Sequence, residues 1–180
     1  IAGTSPSTTF MFDMNRVFEG FLVNFIRRHR REILPPDLWG CDLLPHTRSA
    51  SRYLARIEGK SAFLLKPDLA VKCGQAFPFL IDAKYKRVAP LTSGLNVGES
   101  DFYQMFAYAH RYECPRVVML FPQTADMPDA LFCDFALEGV DENLVTVATV
   151  DIRVDLGKAE GRKQLIARLK EVFQGKEILL

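Results

Sequence analysis

From Phe12 to Arg31 the apolar residues Val17, Phe18, Phe21, Leu22, Phe25 and Ile26 return every three or four positions, the period of one helix face, and the pattern stops at Pro35-Pro36. The rhythm then shortens. Segments near 51–57, 63–72 and 77–85 are apolar or alternating and are separated by Gly59-Lys60 and Gly74-Gln75, which predicts three strands joined as two hairpins. Helical spacing resumes at Ser100, an expected N-cap with Asp101 in the first turn, and places Phe102, Met105, Phe106 and Ala109 on an inner face that ends before Pro115. Residues 116–121, 130–137 and 143–152 read as strands. Leu165, Ile166, Leu169, Val172 and Phe173 give a last helix over 158–173. The order is helix, three strands, helix, strand, two strands, helix: an α/β domain with a mixed sheet covered by helices.

Charge within this pattern carries the chemistry. Asp68 and Asp82 interrupt runs of Leu, Val, Phe and Ile in the central hairpin, where an unpaired charge is costly. With the turn centred near Gln75, facing positions sum to 150, so Asp68 opposes Asp82; like charges so placed repel, and a divalent cation between them reverses the sign. Pro67 lacks a ladder donor and predicts an edge or a bulge that re-aims Asp68. The strand period of two puts Lys84 on the same face as Asp82. Carboxylate oxygens suit Mg²⁺ or Mn²⁺, an ion that keeps several waters and whose shell a phosphate completes, so the expected substrate is a phosphate ester. The expected chemistry is phosphodiester hydrolysis, with the Lys84 ammonium holding the attacking water or neutralising developing charge.

Length and composition narrow the setting. At 180 residues, 48% hydrophobic and 25% charged, the chain fits one domain with a sizeable core. The net charge of +1 requires any nucleic acid to be held by local basic patches. Arg48, Arg52 and Arg56 share one face of a possible strand, and Lys86 and Arg87 follow the lysine of the hairpin, which suggests a phosphate-tracking surface beside the site. The run Arg27 to Arg31 reads as helix-end charge. Trp39, His46 and His110 read as structural. Cys41, Cys73, Cys114 and Cys133 are scattered, with no zinc-type spacing, and are expected to be reduced packing residues of a cytoplasmic protein. No window matches a membrane span or a secretory leader. The Ile1 start and the Gly, Ser, Thr and Pro of residues 1–11 read as a linker from a missing N-terminal region, leaving 12–180 as the domain.

Pro67-Asp68 and Asp82-Ala83-Lys84, in this element order, resemble the signature of the PD-(D/E)xK nuclease superfamily, which implies a restriction-endonuclease-like αβββαβ core. More narrowly, "FDMNRVFEGFLVNFIRRH", "LLKPDLAV", "FLIDAKYKR" and "DFYQMFAYAHRY" resemble the McrC family, the endonuclease subunit of McrBC-type modification-dependent restriction systems, from about Phe12 to Tyr112. The resemblance implies that Asp68 and Asp82 bind the metal, that Lys84 is catalytic and that Glu19 is an accessory acid of the metal set. A helical wheel puts Glu19 at the edge of the apolar face, near Ile26. Gln104 and Tyr108, four apart, match a Gln-x-x-x-Tyr pattern of RecB-like nucleases, which implies a positioning role. The family further implies double-stranded DNA as substrate and an AAA+ GTPase motor, McrB-like, engaged through a preceding domain. No P-loop is present here, so nucleotide use and 5-methylcytosine reading fall to that partner. The alternatives are a RecB- or Cas4-like processing exonuclease and an inactive nuclease fold kept for DNA binding or assembly.

Overall fold

The computed structural model describes residues 12–46, 50–91, 94–127, 129–139 and 143–174. The expected linker, residues 1–11, and Arg48 lie outside them. The elements in chain order are α1 (Met14–Arg28), α2 (Arg30–Ile33), a 3₁₀ turn (Pro36–Leu38), β1 (Asp42–Pro45), β2 (Arg52–Ile57), β3 (Lys60–Leu65), β4 (Leu69–Cys73), β5 (Ala76–Ala83), β6 (Pro90–Leu91), β7 (Gly94–Leu95), α3 (Glu99–Tyr112), β8 (Arg116–Pro122), β9 (Phe132–Ala136), β10 (Leu144–Val150) and α4 (Ala159–Gln174).

Six strands form one sheet in the order β1-β4-β5-β8-β10-β9. β5, β8 and β10 run parallel, while β1, β4 and β9 pair antiparallel to their neighbours. The pleat divides the core. Leu69, Val71, Ile81, Ala83, Val118 and Leu120 face α1, α2 and α4, and the alternate residues Ala70, Leu80, Val117, Met119 and Phe121 face α3. Buried on both faces, β4, β5 and β8 are close to continuously apolar, as strands between two helix layers require. This is the restriction-endonuclease-like arrangement, a mixed sheet flanked by helices.

Several expectations change. The strand expected over 63–72 is two strands, because Pro67 breaks the ladder: Lys60–Leu65 pairs only with β2, and Leu69–Cys73 pairs with β1 and β5. The three strands of the αβββ unit are therefore β1, β4 and β5, with the β2–β3 hairpin inserted between the first two. β1, four residues long and led by an aspartate, gave no alternating signal. The bulge falls at Val71/Cys73, beside the turn, not beside Pro67. It also accounts for the register. Gly74, at φ +62, opens a two-residue turn closed by Cys73 and Ala76, whose numbers sum to 149; the bulge adds one, and Leu69↔Ile81, Ala70↔Leu80 and Val71↔Phe79 all sum to 150.

On α1, Val23 is buried where Val17 was expected; on α3, Tyr108 and Tyr112 join Met105 and Ala109 inside, and Phe106 is exposed. The N-cap of α3 is Gly98, not Ser100. Cys41 and Cys73 form a disulfide, against the expectation of reduced thiols, while Cys114 and Cys133 are free. The reason is β1: Asp42 faces Lys72, so the next pair outward is Cys41 and Cys73, with Cα atoms 4.6 Å apart, inside the bridging range. Reduced thiols therefore cease to argue for a cytoplasmic setting. Among the described residues no helix is long and apolar enough to cross a membrane.

Candidate functional site

The carboxyl end of β5 is where the charged residues of the central hairpin meet. Parallel pairing continues one residue past the strand, since the Lys84 backbone N–H donates to the Leu120 carbonyl at 2.8 Å, and this holds Asp82 and Lys84 on the α3 face. Asp68 enters from the start of β4, two residues before Ala70 and so of the same parity. Its Oδ2 accepts the Ala83 backbone N–H at 2.7 Å, which ties its carboxylate across the hairpin to the strand carrying Asp82. Both aspartates are buried.

A closed chain of polar contacts links β5 to α3. The Lys84 ammonium lies 2.7 Å from Asp82 Oδ2 and donates to Gln104 Oε1 at 2.9 Å. Gln104 Nε2 donates to the Tyr108 hydroxyl at 2.8 Å, and that hydroxyl points back at Asp82 Oδ1 at 3.4 Å. The four-residue spacing on α3 brings Gln104 and Tyr108 onto one face, as the sequence predicts. One turn earlier, Asp101 is buried and paired with Lys86.

From the α1 side, Glu19 reaches the other flank of Asp68. Glu19, His46 and Asp68 each present a ligand-type atom, and the three atoms lie within 4.8 Å of one another. His46 Nδ1 stands 3.5 Å from Asp68 Oδ1. His46 was expected to be structural; what brings it here is β1, since the His46 N–H bonds the Asp68 carbonyl at 3.2 Å and its φ of 34° turns the chain toward the site. The His46 of "LLPHT" carried no spacing signal, and neither did Asp101.

The electrostatics are those of crowded anions. Burial, then the Asp82 carboxylate, push the Asp68 carboxyl up to about 7, against the Ala83 N–H that lowers it; Glu19 adds to the rise. Burial raises Asp82 as well, with Lys84 and Tyr108 acting the other way. Burial works against the Lys84 ammonium, but Asp82, joined by Asp101 and Asp68, more than offsets it and the net shift is upward. Burial beside two carboxylates raises the Tyr108 hydroxyl, which stays protonated as a donor. Two buried carboxylates with raised proton affinity, a third acid and an imidazole within reach form a donor set that a hard or borderline divalent cation fits.

Comparison with known proteins gives the family. Residues 1–122 match the family described as McrBC 5-methylcytosine restriction system component. The chain belongs to that family. All the motif residues of this McrBC-family chain, from Glu19 to Tyr108, fall inside the matched span. No curated protein matches the sequence. Among solved structures, a chain of the refined half-complex from the tetradecameric assembly of Thermococcus gammatolerans McrB AAA+ hexamers with bound McrC is similar, with a TM-score of 0.62 at 20% identity over 91% of this chain. At that identity the likeness speaks for the fold alone. The match covers 34% of that chain, so the McrBC-family chain described here spans about a third of its length.

The basic residues read as a DNA surface stand differently. Arg52 stacks its guanidinium over Phe77 and Tyr112, 5.3 and 5.6 Å from the ring centroids, and so anchors β2 to the core. Lys86 neutralises Asp101, and Arg87 pairs with Asp126. Arg56 is exposed on the β2–β3 hairpin. Among the described residues, Arg52 and Arg56 line one pocket with Arg111, and Lys86 and Arg87 line another with Arg153. Trp39 donates its indole N–H to the Leu34 carbonyl, and His110 stacks on Phe106, both as expected of structural residues.

Proposed function

We propose that this chain is the metal-dependent DNA endonuclease part of a modification-dependent restriction system, hydrolysing phosphodiester bonds at the carboxyl end of β5. The observation that carries the reading is the convergence of Asp68, Asp82, Lys84 and Glu19 from three separate elements, with Gln104 and Tyr108 bonded into the same cluster. Asp68, Asp82 and Glu19, joined by His46, are the residues that would hold Mg²⁺ or Mn²⁺. Such an ion, when bound, supplies Lewis-acid polarisation of the phosphoryl oxygen and lowers the pKa of water beside it.

The chain's own groups do the rest. Lys84, charged at neutral pH, offers three donors to a water or to a non-bridging phosphate oxygen, and Gln104 fixes its direction. Tyr108 steadies both Gln104 and Asp82. A McrB-like AAA+ GTPase supplies motion and the choice of methylated sites. Calorimetric titration with Mn²⁺, paired with plasmid cleavage, tests the reading: Asp82→Ala should lose both. Cleavage that survives the substitution rules out this centre.

The linkage of Gln104 and Tyr108 to Lys84 and Asp82 also suits a RecB- or Cas4-like processing exonuclease. Covalently closed DNA separates the two, since an enzyme that needs ends leaves circles intact.

A further inference from the structure

Helix α1 and strand β1 wall an open groove of about 520 Å³, lined by Asn24, Arg27, Arg28 and Arg30 from the helical side and by Asp42 and Leu44 from the strand. The same two elements lead to the metal-type cluster: α1 carries Glu19, and β1 leads into His46. On α1, Arg27 follows Glu19 by eight residues, about 12 Å at the helical rise of ~1.5 Å per residue. On the other wall, β1 passes through Pro45 directly into His46.

The charge of the groove is three arginines against one aspartate. Arg30 is already held by the carbonyls of Trp39 and Cys41 and so serves the fold. Arg27 and Arg28 are exposed, and neither has a carboxylate partner among the described residues. The contrast with the cations around β5 is direct: Lys86 and Arg87 are neutralised by Asp101 and Asp126, and Arg52 is stacked on two rings. Arg27 and Arg28 thus bring free positive charge to a groove.

We propose that this groove is the path of one DNA strand leaving the metal centre, with Arg27 and Arg28 gripping its phosphates. The proposal rests on the hydrolase reading above. A strand that runs along the groove therefore meets Arg27 and Arg28 a few phosphates from the one at Glu19 and Asp68. Guanidinium forks match phosphate oxygens in pairs. Cations at a helix C-terminus also interact with the macrodipole, but that effect acts on stability and needs neither a groove nor a neighbouring acid cluster.

The test is the salt dependence of binding, read by anisotropy of a labelled duplex with the full chain in EDTA, so that no cut and no metal intervene. Each lost phosphate contact lowers the slope of log K against log salt by ~0.9, so Arg27→Gln with Arg28→Gln should lower it by ~1.8. Replacing both by lysine, which keeps charge and helix end alike, should hold the slope near wild type. Arg31→Gln removes a charge from the same run outside the groove and should leave the slope unchanged. An unchanged slope in the double glutamine variant overturns the proposal and gives these arginines to the helix end or to a protein partner. Mn²⁺ titration of that same variant is a separate reading, so the metal centre stands or falls independently. Failure of the wild-type chain to bind duplex at all overturns the groove and the hydrolase reading together.

Discussion

The β4–β5 hairpin lies in the middle of the six-stranded sheet and buries two aspartates, whereas the β2–β3 hairpin, just upstream, stands off that sheet and exposes Ile57, Phe63 and Leu64. Their sequences do not announce the difference. "KSAFLL" carries an uninterrupted apolar run, whereas "FLIDA" is broken by an aspartate. What separates them is neighbours. β4 and β5 have β1 and β8 on their open edges and helices on both faces, so even Asp68 and Asp82 are enclosed. β2 and β3 have only each other, joined by Glu58 and Gly59, both at positive φ as a tight hairpin turn demands, and they touch the core at their base. There Tyr112 donates its hydroxyl to the Leu65 carbonyl at 3.0 Å and Arg52 lies over the same ring. Burial is set by what packs around a strand, and a charge can be inside and a phenylalanine outside when the packing so dictates.

The contrast can be broken at its strongest point first. Asp82→Asn keeps the volume of a buried residue but removes its charge, and cleavage should fall by ~10²- to 10³-fold, the usual loss for one preorganised electrostatic group. Because burial raises Asp82, its ionised form weighs against the folded state, so the metal-free variant should melt at the same temperature or higher. A clear drop would identify Asp82 as a plain structural ion-pair partner of Lys84.

Next in size is the core of the same hairpin. Leu80, fully buried against α3, should cost ~2–5 kcal/mol in urea unfolding when cut to alanine.

The ligand set offers a smaller but more specific reading. With Mn²⁺ bound, pulsed electron paramagnetic resonance should show a ¹⁴N coupling from the His46 imidazole that disappears in His46→Ala, with affinity falling ~10-fold. Bound Mn²⁺ lacking that coupling would remove His46 from the centre and leave only the carboxylates.

Proton linkage comes after that. Asp68 titrates at about 7 when folded and at 3.8 ordinarily, so the folded state retains a proton the unfolded chain releases. Metal-free stability should therefore fall as pH rises from about 4 to about 7 and level off above, an effect that Asp68→Asn flattens and that added Mn²⁺, which favours the ionised form, reverses. Thermal melts across that range check the sign.

The smallest effect belongs to the outlying hairpin. Phe63 is 73% exposed at φ 56°, a conformation asparagine tolerates better, and Phe63→Asn should stay within ~0.5 kcal/mol of wild type or gain slightly. A large loss would mean the hairpin's apolar face is covered by something essential to folding.

Periodicity along the chain is a local property, and what depends on it alone was determined by the sequence. α1, α3 and α4 follow from apolar spacing. The sharing of one face by Asp82 and Lys84, and of another by Gln104 and Tyr108, follows from strand and helix periods. The register of Leu69 with Ile81, Ala70 with Leu80 and Val71 with Phe79 also follows, although it needed a bulge beside Cys73 that no local signal marked. What only the tertiary structure decided are pairings between segments far apart. β1 exists because β4 offers it an edge, and with β1 come the Cys41–Cys73 bridge and the placing of His46 beside Asp68. Phe106 is outside and Tyr108 inside because α3 is rotated to bring Gln104 and Tyr108 to Lys84 and Asp82. The availability of each cation is decided the same way. Lys86 and Arg27 look alike in sequence, yet one meets Asp101 across the sheet end and the other meets no acid among the described residues, because an ion pair is a contact in space between residues whose separation along the chain carries no trace of it.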